Sequence, residues 1–403
     1  MLQFNQSFDI YNELITILVF TILVVQLYQK KWRISVLVLL VVAIALYMIL
    51  STLYKGNTYF GIMQFIIYSQ FFIYFFYTNT LSQNRKIEIA LKIKGLLDVV
   101  FIVILLFTVL EISNHTLVKE FYGVSYFNRG INGFYLISIF GSAPSFSLFL
   151  SVYILLIYYC GYSLQGIISR ADVLRTVLAV VLCVLTFSRK EVLLTLLFVA
   201  FFPYPYKYTV VKYLRIMVVL LIFGGSTYIY YTSFFKEANE IAFSEKYVRW
   251  KIMKYSWQIS KDNLPLGSGV GTFGSQMSLA NPKIYKEYEV GKEMTGYSGK
   301  RGPIYDAFWF TFIAEMGVGI LLVLLFFYII FTSKAPINDR RANFIKKYLI
   351  LFFLLIGFFS PVLVSPYGFM VAMTLGLLSG KLKISLTTNN AKITTDNILP
   401  HSS

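Results

Sequence analysis

The chain reads as an all-α polytopic membrane protein, and three observations predict it. Of its 403 residues, 57% are hydrophobic and only 14% are charged, against roughly a quarter charged in an ordinary soluble domain. Apolar runs recur at about 17 to 25 residues, the length a helix needs to cross a hydrocarbon core. Lys and Arg alternate between sparse and dense loops, as the positive-inside rule requires.

The apolar runs fall near 10–28, 34–53, 60–78, 96–112, 135–160, 173–187, 191–206, 213–232, 307–331, 347–364 and 367–380, which predicts about eleven spans. The first has no Lys or Arg ahead of it and no small-residue cleavage site, so it is expected to remain a membrane helix. Twenty basic residues sort to one side, whereas the short loops opposite hold Lys55, Lys119, Arg129, Arg189 and Lys190. The alternation places the C-terminus in the cytoplasm, the N-terminus outside and the long 233–306 interval outside. Long loops are exempt from the rule, so the 11 basic residues of that interval do not conflict with it. Residues 1–383 thus form one integral membrane domain, and the Thr/Asn/Ser-rich stretch 384–403 is expected to be a disordered cytoplasmic tail.

This organisation also excludes. The net charge of +17 is scattered over short loops instead of gathered on a soluble face, so it reads as topology and not as nucleic-acid binding. A cytoplasmic domain able to hold an ATPase is not predicted. Cys160 and Cys183 sit in apolar stretches without metal-ligand spacing, and His115 and His401 are the two histidines. Neither a zinc site nor a disulfide framework is therefore expected, and no cofactor.

The chemistry gathers in the polar interval from Phe234 to Gly319 and in one tight turn before it. Ser188-Arg189-Lys190-Glu191 puts two cations between apolar helices, where charge is costly and marks an ion or substrate site or snorkels to headgroups. A helix over about 239–260 would align Arg249, Met253, Ser256 and Ser260, with Trp250 and Trp257 on a neighbouring stripe, as in an interfacial helix with Trp anchors. Gly267, Gly269 and Gly271 permit either a plain turn or an approach of backbone N–H groups to an oxyanion. Glu315, about 13 Å along a helix from Asp306, needs a partner at that depth, either structural or substrate.

Taken together, Ser188-Arg189, the Arg249-to-Trp257 helix, the run Pro265-Leu-Gly-Ser-Gly-Val-Gly-Thr-Phe273 and Glu315-Met-Gly317-Val-Gly319 resemble the O-antigen ligase and polymerase superfamily. Phe127-Asn-Arg129 followed by Gly141-Ser-Ala-Pro144 is a looser match, and the likeness covers about 125–320. The resemblance implies a membrane glycosyltransferase fold of the GT-C-like type. It implies action on sugars carried by undecaprenyl pyrophosphate at the outer face of a bacterial cytoplasmic membrane, without metal or nucleotide. Arg189 and Arg249 would hold the donor pyrophosphate, with Asp306 as a third catalytic position. Arg129, Lys190, Trp250, Gly267, Gly269, Gly271, Tyr305 and Glu315 would bind substrate.

One departure matters. Ligases carry a His-Asn pair where this chain has Tyr305-Asp306, so either Asp306 accepts the proton or positioning and charge neutralisation suffice. The expectation is accordingly a polymerase of lipid-linked repeat units for a capsule, exopolysaccharide or O-antigen. A ligase using the same donor and a lipid-linked oligosaccharide flippase are the alternatives, although inverted repeats typical of transporters are not evident. The partners implied are the lipid-linked oligosaccharide, membrane lipid, and a chain-length regulator and flippase of the same pathway.

Overall fold

The apolar runs form helices and, among the described residues, no strand. The computed structural model of the protein describes residues 15–26, 28, 35–55, 58–122, 135–204, 217, 224, 248–295, 303–335, 339–361 and 364–380. The expectations for Arg129, for the span near 213–232, for a helix beginning at 239 and for the 384–403 tail lie outside these residues.

In chain order the helices are α1 (Ile15–Gln26), α2 (Val36–Tyr54), α3 (Thr58–Asn79), α4 (Gln83–Ser113), α5 (His115–Phe121) and α6 (Ala143–Tyr158). The last continues through a π-helical turn, Tyr159–Leu164. There follow α7 (Arg170–Leu185), α8 (Arg189–Phe201), α9 (Val248–Asp262), α10 (Phe308–Met316), α11 (Ile320–Thr332), α12 (Arg340–Gly357) and α13 (Pro366–Leu378).

Among the described residues five stretches are long and apolar enough to cross a membrane: α2, α3, α4, Ala143–Leu164, and Phe308–Thr332. The last comprises α10 and α11 joined by a tight turn at Gly317–Gly319. This is the pattern of a helical membrane protein. The predicted spans near 173–187 and 191–206 are helices of 16 and 13 residues, or about 24 and 20 Å, shorter than the roughly 30 Å hydrocarbon core. Conversely, α4 starts well before the apolar run at 96, because the charged stretch Gln83–Lys94 continues the same helix with a Glu88–Lys92 pair one turn apart.

The core lies around Ala143–Leu164, of which 89% is buried, against 28–50% for the other four stretches. Its neighbours dock through small residues: a Cβ on Gly376 of α13 would meet Thr78 Oγ1 at 2.0 Å and Phe75 O at 2.4 Å, so α13 lies directly on α3. Thr78 Oγ1 donates to Met373 O at 3.0 Å across that contact.

Two cations assigned to loops by the charge pattern are instead held in an ion cluster between α4 and α7. Lys94 Nζ lies 2.9 Å from Asp98 and 2.8 Å from Asp172, and Arg175 lies 3.3 Å and 2.9 Å from the same carboxylates. Tyr153 of α6 donates to Asp98 at 2.7 Å. Asp172→Asn would leave two cations sharing one carboxylate. The expected loss is roughly 1–3 kcal/mol, less than for a fully buried pair, read as a lower unfolding midpoint in detergent.

Candidate functional site

The site begins with the turn that ends α7 and starts α8. Phe187 holds a left-handed backbone, φ 53°, which for a bulky residue is strained. Thr186 fixes it by donating to Cys183 O at 2.7 Å and accepting from Ser188 N at 3.2 Å. The next residue, Arg189, opens α8 and is exposed.

Lys190 turns inward. Its Nζ donates to Phe359 O at 3.1 Å and to Ser360 Oγ at 2.7 Å, and pairs with the buried Glu191 carboxylate at 3.4 Å. These contacts match the three donors of an ammonium. Lys190, expected to bind substrate, clamps the turn that follows α12 in the structure. The ammonium also lies 5.3 Å from the Phe359 ring centroid, and the Arg249 guanidinium lies 5.5 Å from the same centroid. The two charges thus stand within about 11 Å of each other.

Phe359 can gather them because the end of α12 is pinned. Trp309 Nε1 donates to Leu354 O at 2.6 Å, and a Cβ on Gly357 would meet that nitrogen at 2.3 Å. Phe358 packs on Phe310 with centroids 5.8 Å apart. Residues 354–361 therefore tie α8, α9 and α10 together, and the Lys190 ammonium and the Arg249 guanidinium meet at this one place, with Arg189 next to Lys190 in the chain.

Arg249 is placed by a second, smaller core. Ile252, Ile259, Phe273, Ile284, Tyr285, Ile304, Tyr305 and Ala314 bury one another, so the polar interval folds on α9 and the first turns of α10. The buried face of α9 carries Ile252, Ser256, Ile259 and Ser260, whereas Trp250 and Trp257 are 52% and 70% exposed. Trp250 is thus on the outward stripe and not in this core. Tyr285 receives Gly274 N–H at 2.8 Å and shares a hydrogen bond of 2.7 Å with Ser278. Burial, reinforced by Tyr305, holds its phenol well above the usual range, so it stays protonated. Tyr305 and Asp306 occupy the short turn Pro303–Asp306 just before α10.

The glycine run has a different role from a substrate cradle. Thr272 N and Phe273 N donate to Glu315 Oε1 at 2.8 and 3.0 Å, Ser275 Oγ donates to the same oxygen at 2.6 Å, and Tyr68 of α3 donates to Oε2 at 2.9 Å. The anion that the loop N–H groups approach is the chain's own carboxylate. Gly267, Gly269 and Gly271, at φ 72°, 98° and 80°, let the backbone wrap this carboxylate and press on α2, α3 and α10. Their Cβ atoms would meet Glu315 O at 2.5 Å, Lys55 Cβ at 3.1 Å and Phe60 O at 2.8 Å respectively. The three glycines and Glu315, expected to bind substrate, hold this loop on α3 and α10 in the structure.

Beside this loop lies a cavity of about 250 Å³, of a size that holds roughly eight waters. Gln64, Tyr68, Ser275, Tyr305, Phe308 and Thr311 line it, and Pro361 closes one side. Pro361 directly follows the Ser360 that Lys190 contacts, so cavity and cationic turn share a wall. Sequence reasoning missed Phe359 and Gln64. The latter had a signal, a polar amide inside an apolar run, where such groups are kept for a contact.

The chain matches no protein-family model and no curated protein in sequence.

Proposed function

We propose that the protein is a membrane glycosyltransferase that joins lipid-linked oligosaccharide repeat units into a surface polysaccharide at the outer face of a bacterial cytoplasmic membrane. The observation that carries this reading is the approach of Lys190 and Arg249 to Phe359 on the turn after α12, with Arg189 adjoining Lys190 in the chain, beside a cavity whose described lining residues are uncharged. Two cations with planar, bidentate donors suit a pyrophosphate. Lys190 holds the turn, and the guanidinium groups of Arg189 and Arg249 are the proposed contacts to the ligand.

In the reaction the hydroxyl oxygen of the acceptor sugar attacks the anomeric carbon of the donor as the bond from that carbon to the pyrophosphate oxygen breaks, with inversion. The pyrophosphate leaves with the electron pair, and the growing negative charge is stabilised by the two arginines. The acceptor proton passes to a base, for which Asp306, on the turn with cavity-lining Tyr305, is the proposed group.

The test replaces the cell's own copy with Arg249→Ala or Arg189→Ala, with membrane levels matched, and reads glycan length on gels. Long glycan is expected to vanish while single lipid-linked repeats persist outside the membrane. Repeats held inside would indicate a flippase, free unattached long chains a ligase, and an unchanged ladder would remove both arginines from the mechanism.

A further inference from the structure

Resting on the polymerase reading, we infer that the cavity between α3, the glycine loop and α10 is a subsite for one neutral sugar ring of the lipid-linked oligosaccharide. The donor and acceptor pattern of its lining points to hydroxyl groups. Gln64 is fully buried; its Oε1 accepts Met277 N at 3.2 Å, while its Nε2, beside the Tyr68 phenol oxygen, makes no well-formed hydrogen bond among the described residues. A buried donor of this kind is costly unless something fills the space in front of it. Tyr68 and Ser275 both give their protons to Glu315. Toward the cavity they therefore offer lone pairs. A ligand group that accepts from an amide and donates to phenol and hydroxyl oxygens is what a sugar ring supplies several times over.

Charge and size narrow the class. Among the described residues no charged side chain lines the cavity, and the Glu315 carboxylate behind its wall is already met by four donors. An anionic or cationic group entering would lose its hydration without a counter-charge. At about 250 Å³ the space is below the range of roughly 300–1,000 Å³ that takes drug-sized ligands, which suits a single ring and not a disaccharide. The rings of Tyr68, Tyr305 and Phe308 supply flat apolar surface for the C–H face of a pyranose. The shared wall at Ser360–Pro361 sets the sugar next to the cations, with adjoining Cα atoms about 3.8 Å apart. That is the arrangement expected of a glycosyl group attached to a bound pyrophosphate.

The experiment is saturation-transfer NMR on the full chain in lipid nanodiscs, with methyl glycosides of a hexose, a 6-deoxyhexose and an N-acetylhexosamine offered one at a time. At least one is expected to receive saturation, to lose it in Val364→Trp, which fills the cavity from a wall residue, and to keep it in Arg249→Ala. Alongside, Gln64→Leu is expected to raise the apparent KM for the lipid-linked repeat roughly three- to tenfold, the value of one neutral hydrogen bond, with kcat nearly unchanged. Absence of saturation from every glycoside, or saturation that survives Val364→Trp, overturns the subsite. If Arg249→Ala polymerises normally while Val364→Trp still abolishes saturation, the polymerase reading fails and the sugar site stands. If Arg249→Ala stops polymerisation but no glycoside is saturated, the reverse holds.

Discussion

Replacing Glu315 with leucine is expected to abolish accumulation of folded protein. The carboxylate is fully buried and accepts from Thr272 N–H, Phe273 N–H, Ser275 O–H and Tyr68 O–H at 2.6–3.0 Å. Leucine matches much of the volume and answers none of the four donors. Each orphaned buried donor costs about 1–3 kcal/mol, so together they approach the whole stability of an ordinary domain, about 5–15 kcal/mol. Glutamine is the informative contrast. It keeps an acceptor for the three donors gathered on Oε1 and turns an amide toward the Tyr68 oxygen, which can accept. Glu315→Gln should therefore fold with a lowered midpoint, and Glu315→Leu should not survive detergent extraction as a monodisperse peak. Limited proteolysis of the 265–275 loop in membranes checks the same point without extraction. Leucine protein at wild-type levels with a protected loop would show that the carboxylate holds nothing in place.

That carboxylate also shows what a sequence can and cannot carry. Run length and charge content are local properties, and they were enough to anticipate a helical membrane protein, of whose eleven expected spans five stand among the described residues as helices long and apolar enough to cross. Arg189 was conspicuous for the same reason, as a charge at the edge of an apolar stretch, and Arg249 as a cation on an amphipathic helix of the polar interval. The meeting of Lys190 and Arg249 was not legible: Phe359 is one of 38 phenylalanines, and nothing near it in sequence marks it. The glycine run was legible as either a plain turn or a loop whose N–H groups approach an anion. Which anion was not, because Glu315 reaches that loop only through the packing of α10 against α2 and α3. Likewise the Lys94–Asp98 pair follows from one-turn spacing, whereas its sharing of Asp172 depends on α7 lying beside α4. The ends of α7 and α8 rest on backbone turns, left-handed at Phe187 and extended at Phe202, of which the charged run Ser188–Glu191 marks the first.

Alanine at Gly267 is expected to cause the second large loss, about 2–5 kcal/mol from left-handed strain combined with overpacking. Gly267 sits at φ 72°, and its Cβ would lie 2.5 Å from Glu315 O and 2.6 Å from Gly317 N. Both obstacles are backbone, so no side chain can swing aside. Gly317 faces it from α10, with its own Cβ position 2.4 Å from Pro265 O. The two segments are sewn together by Ser268 N to Ala314 O at 2.9 Å, Gly269 N to Glu315 O at 3.1 Å and Val318 N to Pro265 O at 3.0 Å. Tyr47 of α2 adds a bond to Pro265 O at 2.6 Å, and Ser51 one to Leu266 O at 2.8 Å. Two other glycines separate the causes. Gly166 has a left-handed φ of 78° but open space around it, and Gly95 lies in α4 with nothing within 4 Å. Gly166→Ala should show only the conformational cost, and Gly95→Ala should be neutral or stabilising by up to ~1 kcal/mol. Thermal midpoints in one detergent are thus expected to rank Gly95→Ala highest, Gly166→Ala next and Gly267→Ala far below. The double variant Gly267→Ala/Gly317→Ala should be little worse than either alone, since both break one contact. A midpoint for Gly267→Ala level with Gly166→Ala would leave backbone strain as the whole effect. It would also free the loop from its place against α10, where it now fixes α9, and with it the distance between Arg249 and Phe359.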